Sequence, residues 1–310
     1  MILCVCLNPA LDITYRADEL VHGASHRVDV VGVRGGGKGL NVARVLAQLG
    51  EPVILTGLLG GDNGKAIGRD LDVAGIASCF MPVVEQSRRS VTVVDGRDAT
   101  VLNEPGPVVA ESEWQDFLAR FDDVVQHCQV VALSGSLPPG VPPDAYELLT
   151  RQARRSGAKV LVDAGGDALR AVLPAGPDIV KPNVSELRQL LGRKLGNTPE
   201  ILSGAQSLRA GGAGAAVVSR GALGVVALTP DGAFTARTLK PIQGNPTGAG
   251  DALAAVLARS LLCEQPWRAT LVAGVAVSAA AVTVAVAGAT DLAHADRLAD
   301  DIEVEELPWP

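Results

Sequence analysis

The feature that most constrains this chain is the regular return of short apolar runs between longer stretches of helical periodicity. "ILCVCLN", "PVILTGLLG", "VVALSG", "KVLVDAG", "DIVKPN", "AAVVSRG" and "GVVALTP" read as strands. Between several of them lie helices such as "GLNVARVLAQLG", with Leu40, Ala43, Leu46 and Ala47 on one side and Gly50 as a stop. Alternation of this kind predicts an α/β fold: a mostly parallel central sheet covered by helices on both faces.

Two regions break the rhythm. Residues 13–34 and 87–103 carry strand-type alternation, as in "HRVDVVGVR" and "RSVTVVDG", with no helix before the return. They predict a small separate sheet, either a lid over a ligand or a plain edge hairpin. At 310 residues the chain could hold one large domain or two smaller ones. No repeat or low-complexity linker divides it, so residues 1–310 read as one domain with a lid. The acidic tail "DDIEVEE" reads as solvated surface.

Charge and cysteine usage narrow the classes. A formal net charge of -7 argues against a surface that grips nucleic acid, while leaving room for a local basic pocket around a small anion. The five cysteines, Cys4, Cys6, Cys79, Cys128 and Cys263, follow neither a disulfide frame nor a zinc spacing, and are expected to be reduced thiols in a cytoplasm. Cys4 and Cys6 would share one face of the first strand. "MILCVCLNP" has no basic leader and is expected to be a buried strand rather than a signal peptide. Ala269–Thr290 is uncharged and long enough to span a bilayer, but its Ala, Val, Ser278, Thr283 and Gly content predicts a small-residue helix packed inside the protein.

Three stretches carry chemistry. In "GNPTGAGDALAAVLARSLL", Gly248 and Gly250 permit a tight turn into a helix whose first amides are free to face an anion. Asp251 beside that site is explained if it takes a proton from a hydroxyl that attacks phosphorus; its alternative is a helix-capping carboxylate. "VRGGGKGLNVARVL" nearly matches a phosphate loop counted from Gly32, yet Gly39 stands where a hydroxyl must hold magnesium. What remains is a glycine turn presenting Lys38 and Asn41 at a helix start, suited to the hydroxyls and phosphate of a sugar-like ligand. "DIVKPNVSEL" puts Asn183 and Glu186 on one side of a beginning helical turn, as a helix cap, beside a metal–nucleotide complex, or both. In an open parallel sheet ligands bind beyond the carboxyl ends of the strands, and "LNP", "SGSLPPG", "KPNVSEL", "SRGALG" and "NPTGAGD" each follow a predicted strand.

Taken in order along the whole chain, "LNPALD", "GGKGLNVARVL", "SGSLPPG", "KPNVSEL", "SRGALG" and "NPTGAGDA" resemble the phosphofructokinase B group of the ribokinase-like carbohydrate kinases. The resemblance implies a three-layer ribokinase-like fold with a small β-sheet lid, often a dimer contact, and an ATP- and magnesium-dependent sugar kinase. It implies that Asp251 is the catalytic base and that Gly248, Ala249 and Gly250 form the anion hole. Asn183 and Glu186 would organise magnesium and the nucleotide phosphates, with Glu186 acting through water, and Ser219, Gly221 and Gly224 would line the nucleotide. Asp12, Gly36, Gly37, Lys38 and Asn41 match the sugar-binding positions; Arg27, Arg88 and Ser136 would lie near a phosphate already on the acceptor.

The resemblance also implies a homodimer through the lid; charge and the small-residue stretch leave neither nucleic acid nor membrane as an expected partner. "GGKG" resembles the 1-phosphofructokinases and tagatose-6-phosphate kinases more than the minor 6-phosphofructokinases, and Lys38, Arg27 and Arg88 favour an acceptor that carries phosphate. The expectation is phosphorylation of fructose 1-phosphate to fructose 1,6-bisphosphate. Its competitors are tagatose-6-phosphate kinase, 6-phosphofructokinase and, outside the enzymes, a sugar-phosphate-binding protein on a kinase scaffold. Arg220 replaces the commoner leucine, and Ala164 and Gly165 stand where Thr and Ser are frequent.

Overall fold

All seven apolar runs are strands of one ten-stranded sheet in the computed structural model, which describes residues 1–95 and 99–309. The strands begin with β1 (Ile2–Cys6), β2 (Ala10–Arg16), β3 (Asp29–Gly36), β4 (Val53–Gly60), β5 (Met81–Val83), β6 (Arg88–Val94) and β7 (Ala99–Asn103). They continue with β8 (Val130–Ser134), β9 (Lys159–Asp163), β10 (Ile179–Val180), β11 (Ala215–Ser219), β12 (Val225–Thr229), β13 (Gly232–Thr238) and β14 (Ile302–Leu307). The first five helices are α1 (Lys38–Gln48), α2 (Gly61–Val73), α3 (Glu111–Val125), α4 (Ala145–Arg155) and α5 (Gly166–Val172). The rest are α6 (Val184–Leu191), α7 (Thr198–Ala210), α8 (Ala249–Cys263), α9 (Trp267–Val282) and α10 (Leu292–Ala299).

The large sheet has the order β14-β13-β12-β11-β10-β9-β8-β1-β4-β5. It is parallel from β5 to β11, then antiparallel through β12, β13 and β14. Alternation along its central strands creates two cores. Ile2, Cys4 and Cys6 of β1 face the cluster that holds Leu40 and Leu46 of α1, Leu253 and Leu257 of α8 and Leu271 of α9. Leu3, Val5 and Leu7 face the other side, with Trp114, Phe117 and Phe121 of α3 and Tyr146 of α4. Helices therefore cover both faces, and a strand apolar at every position is explained by burial on both.

The stretch Ala269–Thr290 supplies most of α9, whose small side chains pack inside the protein. Among the described residues no helix is long and apolar enough to cross a membrane. The tail departs from its sequence reading. Ile302–Leu307 pairs antiparallel with β13 as the edge strand, burying Val304 while Glu305 and Glu306 stay exposed. Alternation of apolar and acidic residues lets one face dock and keeps the free edge charged, which discourages pairing with other chains.

The stretches 13–34 and 87–103 form the predicted second sheet, in the order β3-β2-β6-β7. Residues 96–98 of the latter lie outside the described residues. This sheet is mixed: β2 runs parallel to β6 and antiparallel to β3. Its strand ends at Ala10, Gly36 and Arg88 are in register, so the sheet joins the main body where β1 gives way to β2 and β3 to α1.

Candidate active site

Because β1, β8, β9, β10 and β11 are parallel, their carboxyl ends deliver side chains to one edge. Asp163 closes β9 and is fully buried. Lys181 follows β10, with its backbone N–H bonded to Val162 O at 2.9 Å. Asn8 follows β1, Ser136 follows β8, and Ser219 ends β11.

Two helices start at this edge. Gly37 (φ 113°) precedes α1 and puts Lys38 at its first position; Gly248 (φ 87°) does the same for Ala249 in α8. Both lie in the left-handed region that glycine accepts freely. A Cβ on Gly248 would also meet Ala287 Cβ at 2.8 Å, so glycine is required twice over. The N–H of Ala249 donates to Pro246 O at 3.2 Å, whereas the first-turn amides of Gly250 and Asp251 meet no acceptor among the described residues. Those open amides at a helix N-terminus form an anion site. Asn41 of α1 reaches across and donates from Nδ2 to Asp251 Oδ2 at 2.8 Å, orienting the carboxylate beside the anion site.

The charges here are coupled. Lys38 Nζ lies 3.0 Å from Asp163 Oδ1 and 3.2 Å from Glu186 Oε1, and Lys181 Nζ lies 3.0 Å from Asp163 Oδ2. Burial would raise the Asp163 pKa, but the ammonium groups of Lys181 and Lys38 outweigh it and hold the carboxyl below its usual range. Desolvation alone would lower Lys38; Asp163 and Glu186 instead raise it, fixing the side chain as a cation. Asp251 ends up differently. Its burial and the neighbouring Asp163 charge push its pKa up to about 7, against the pull of the Asn41 hydrogen bond, Lys181 and Lys38.

One cavity reaches the first turn of α8 and another the start of α1; Asp251 itself lines neither. The first, of about 410 Å³, is lined by Asn183, Ser219, Gly221, Gly224 and Gly250, with apolar side chains from α8 and α9 opposite. Four of the five residues expected at the nucleotide thus share one chamber, while Glu186 lines the other cavity. Asn183 and Glu186 cap α6 reciprocally: Glu186 N donates to Asn183 Oδ1 at 2.9 Å and Asn183 N to Glu186 Oε2 at 2.8 Å. Arg220 is tied to Thr198 Oγ1 and Leu223 O, at 3.0 and 2.8 Å, in an adjoining cavity beside α7. Gly165 leaves space for Glu186, since a Cβ there would stand 3.0 Å from Glu186 Cγ.

The other cavity, about 720 Å³, is lined by Lys38, Gly135, Ser136, Gly165 and Glu186 among others. Asn8 organises its rim, donating to Ser136 Oγ at 3.2 Å and Pro105 O at 2.9 Å and accepting from Arg88 Nε at 3.1 Å. Asp12 sits against Gly36, where a Cβ would fall 1.8 Å from its Oδ2. Burial pushes the Asp12 pKa up to about 6, moderated by Arg88, Arg34 and Arg44. Arg27 is the exception among the expected acceptor residues. It is exposed beyond the Arg16–Asp29 pair, at the opposite end of β2 from Ala10. Six residues of strand place it about 20 Å along the sheet from the site.

Asp163 and Lys181 are absent from the residues expected from sequence. Their signal is a charge closing an otherwise apolar run, as in "KVLVD" and "DIVK". A carboxylate ionising near neutrality beside open amides is equipped to take a proton from a hydroxyl that attacks a phosphoryl group.

The profile of the pfkB family carbohydrate kinases matches residues 2–293, and the chain belongs to that family. A Thermotoga maritima structure named "possible 1-phosphofructokinase" is 27% identical, with a TM-score of 0.89 and 99% of both chains covered. Phosphofructokinase-2 from Escherichia coli in its tetrameric inhibited form is 24% identical, with a TM-score of 0.89 over 96% of this chain and 98% of that one. The same enzyme in complex with fructose-6-phosphate gives 0.87 at the same identity and coverage, and shares the fold. The protein is accordingly an ATP-dependent sugar kinase.

Turnover should rise with pH as Asp251 ionises, through a pKa of about 7. Removing the Asn41 donor, which favours the ionised form, should move that acid limb of kcat upward. Comparing pH profiles of wild type and Asn41→Ala checks this; an unmoved limb would separate Asn41 from the ionisation.

Proposed function

We propose that Asp251 is the general base for transfer of the ATP γ-phosphoryl group to a hydroxyl of a phosphorylated ketohexose, fructose 1-phosphate first among them. The observation that carries the reading is the position of the Asp251 carboxylate, held by Asn41 at 2.8 Å beside the open amides of α8. In the reaction the acceptor oxygen attacks the γ-phosphorus as Asp251 takes its proton, the bond to the bridging oxygen breaks, and ADP departs. The α8 amides receive the charge on the phosphoryl oxygens. A carboxylate with a pKa near 7 suits a general base, being ionised enough to accept the proton and basic enough to keep it during transfer.

Asp12 would accept hydrogen bonds from acceptor hydroxyls, with Gly36 and Gly37 giving the sugar close approach. Ser136 lines the cleft and Arg88 is tied to Asn8 beside it, and the two would hold a phosphate on the acceptor. Lys38 supports the same cleft while tied to Asp163 and Glu186. Magnesium fits the donor set in a limited way. Among the described residues no cluster of three ligands exists, but two carboxylate residues, Glu186 and Asp167, line the cleft, and magnesium commonly keeps water and phosphate oxygens as most of its ligands. Glu186, capped by Asn183, would hold it, and the ion would supply charge neutralisation on the phosphates.

The small sheet would act as a lid over the acceptor, and we assign its outer side to a second copy of the chain. By the strand register Val30, Val33 and Leu102 share one face, where they are 61, 53 and 59% exposed, an apolar surface uncommon on an isolated sheet. The five cysteines are all unbonded, which suits the reducing interior of a cell.

Magnesium-dependent ADP formation, compared as kcat/KM for fructose 1-phosphate, tagatose 6-phosphate and fructose 6-phosphate, should favour the first. Asp251→Asn should lose roughly 10³-fold or more in kcat with acceptor affinity broadly kept. Near-normal turnover in that variant would reject the base; preference for another acceptor would replace fructose 1-phosphate. Light scattering should find a dimer in wild type and monomer in Val33→Asp/Leu102→Asp; a wild-type monomer would refute the lid interface.

A further inference from the structure

Asn8, just beyond β1, is held in a way that packing alone does not explain. It is 5% exposed, yet its Oδ1 meets no donor among the described residues. A buried carbonyl oxygen without a partner is costly and calls for a reason. The reason lies at the other end of the amide. Nδ2 donates one N–H to Pro105 O at 2.9 Å and the other to Ser136 Oγ at 3.2 Å. A main-chain carbonyl can only accept, so the nitrogen must face Pro105 and the amide cannot be turned round. Gly106 closes on the opposite side: its φ is 112°, and a Cβ there would stand 2.3 Å from Asn8 Oδ1. Pro105 and Ser136 both line the larger cleft.

The polarity of this network decides what Ser136 can offer. A hydroxyl carries one proton and accepts through its lone pairs. Asn8 presents only donors on that side, so Ser136 Oγ accepts there and its own proton, which meets no acceptor among the described residues, is left for the cleft. Arg88 is held by the same residue, with Nε donating to Asn8 O at 3.1 Å and Nη1 reaching Glu104 O at 3.5 Å, while Nη2 meets no acceptor among the described residues.

We propose that Asn8 is a positioning residue for the acceptor's phosphate: its amide makes Ser136 a hydrogen-bond donor toward the cleft, and its main-chain carbonyl steadies Arg88 beside it. The inference rests on the reading of Ser136 and Arg88 as phosphate contacts and deepens it. The oxygens of an ionised phosphate accept hydrogen bonds, so a hydroxyl already accepting from Asn8 presents the group they need. A serine free to rotate would offer them a lone pair for part of the time.

The alternative role for Asn8 is to tie the segment at Pro105 to the sheet and nothing more. A double-mutant cycle of wild type, Asn8→Ala, Ser136→Ala and Asn8→Ala/Ser136→Ala separates the two, assayed with whichever of fructose 1-phosphate, tagatose 6-phosphate and fructose 6-phosphate is used best. The proposal expects Asn8→Ala to raise the acceptor KM about fivefold or more, with kcat and the KM for ATP kept within about twofold, since Arg88 retains its bond to the main chain. In the Ser136→Ala background the same change should raise the acceptor KM less than about twofold, because the hydroxyl it orients is gone. An equal rise in both backgrounds would overturn the proposal in favour of the structural tie, and so would an acceptor KM that Asn8→Ala leaves unmoved. Should Asn8→Ala fail to fold, Asn8→Ser keeps a polar group too short to reach Ser136 and takes its place in the cycle. Ser136→Ala alone keeps the readings distinct: an unmoved acceptor KM there removes the phosphate contact and the inference with it, whereas a raised KM there with Asn8→Ala unmoved removes Asn8 alone.

Discussion

The site depends on one buried carboxylate, Asp163, at the end of a strand inside the sheet. With no exposed surface and two ammonium groups about 3 Å away, it cannot lose a partner cheaply. Removing one side of a buried ion pair costs roughly 3–5 kcal/mol, because the remaining charge has no water to turn to. Asp163 therefore fixes where Lys38 of α1 and Lys181 beyond β10 stand relative to one another. The strand order makes this possible, since β9 lies between β8 and β10 and presents its last residue to both neighbours.

From that constraint the rest follows electrostatically. Burial is the main cause of the raised pKa of Asp251, and the charge on Asp163 adds to it. Asn41 works against that rise and limits it. Glu186 is held twice, by the α6 cap and by Lys38. Fold and chemistry meet in this cluster: the same parallel strand ends that build the crevice deliver its charges.

Much of this is legible in the sequence. The apolar runs mark the central sheet because residues buried on both faces leave a continuous signal. Gly37, Gly248 and the Asn183–Glu186 spacing are legible because a left-handed turn and a capping box have local requirements. Asp163 and Lys181 escape because a charge closing an apolar run looks like a strand leaving the core, and their pairing depends on strand order that no local pattern records. Arg27 fails for a related reason: closeness in sequence to the glycine turn hides that β2 and β3 carry it to the opposite end of the small sheet. The tail misleads because the acids of "DDIEVEE" outweigh its alternation, whereas an edge strand needs only one apolar face.

The central claim is that this buried cluster holds Asp251 near neutrality, and its most direct test is the ionisation of that side chain itself. Carboxyl carbon-13 NMR of aspartate-labelled protein, with Asp251→Asn to assign the resonance, should show Asp251 titrating with a midpoint of about 7. A midpoint near the ordinary 3.8 would contradict the account, leaving Asp251 a solvated cap and not a tuned base.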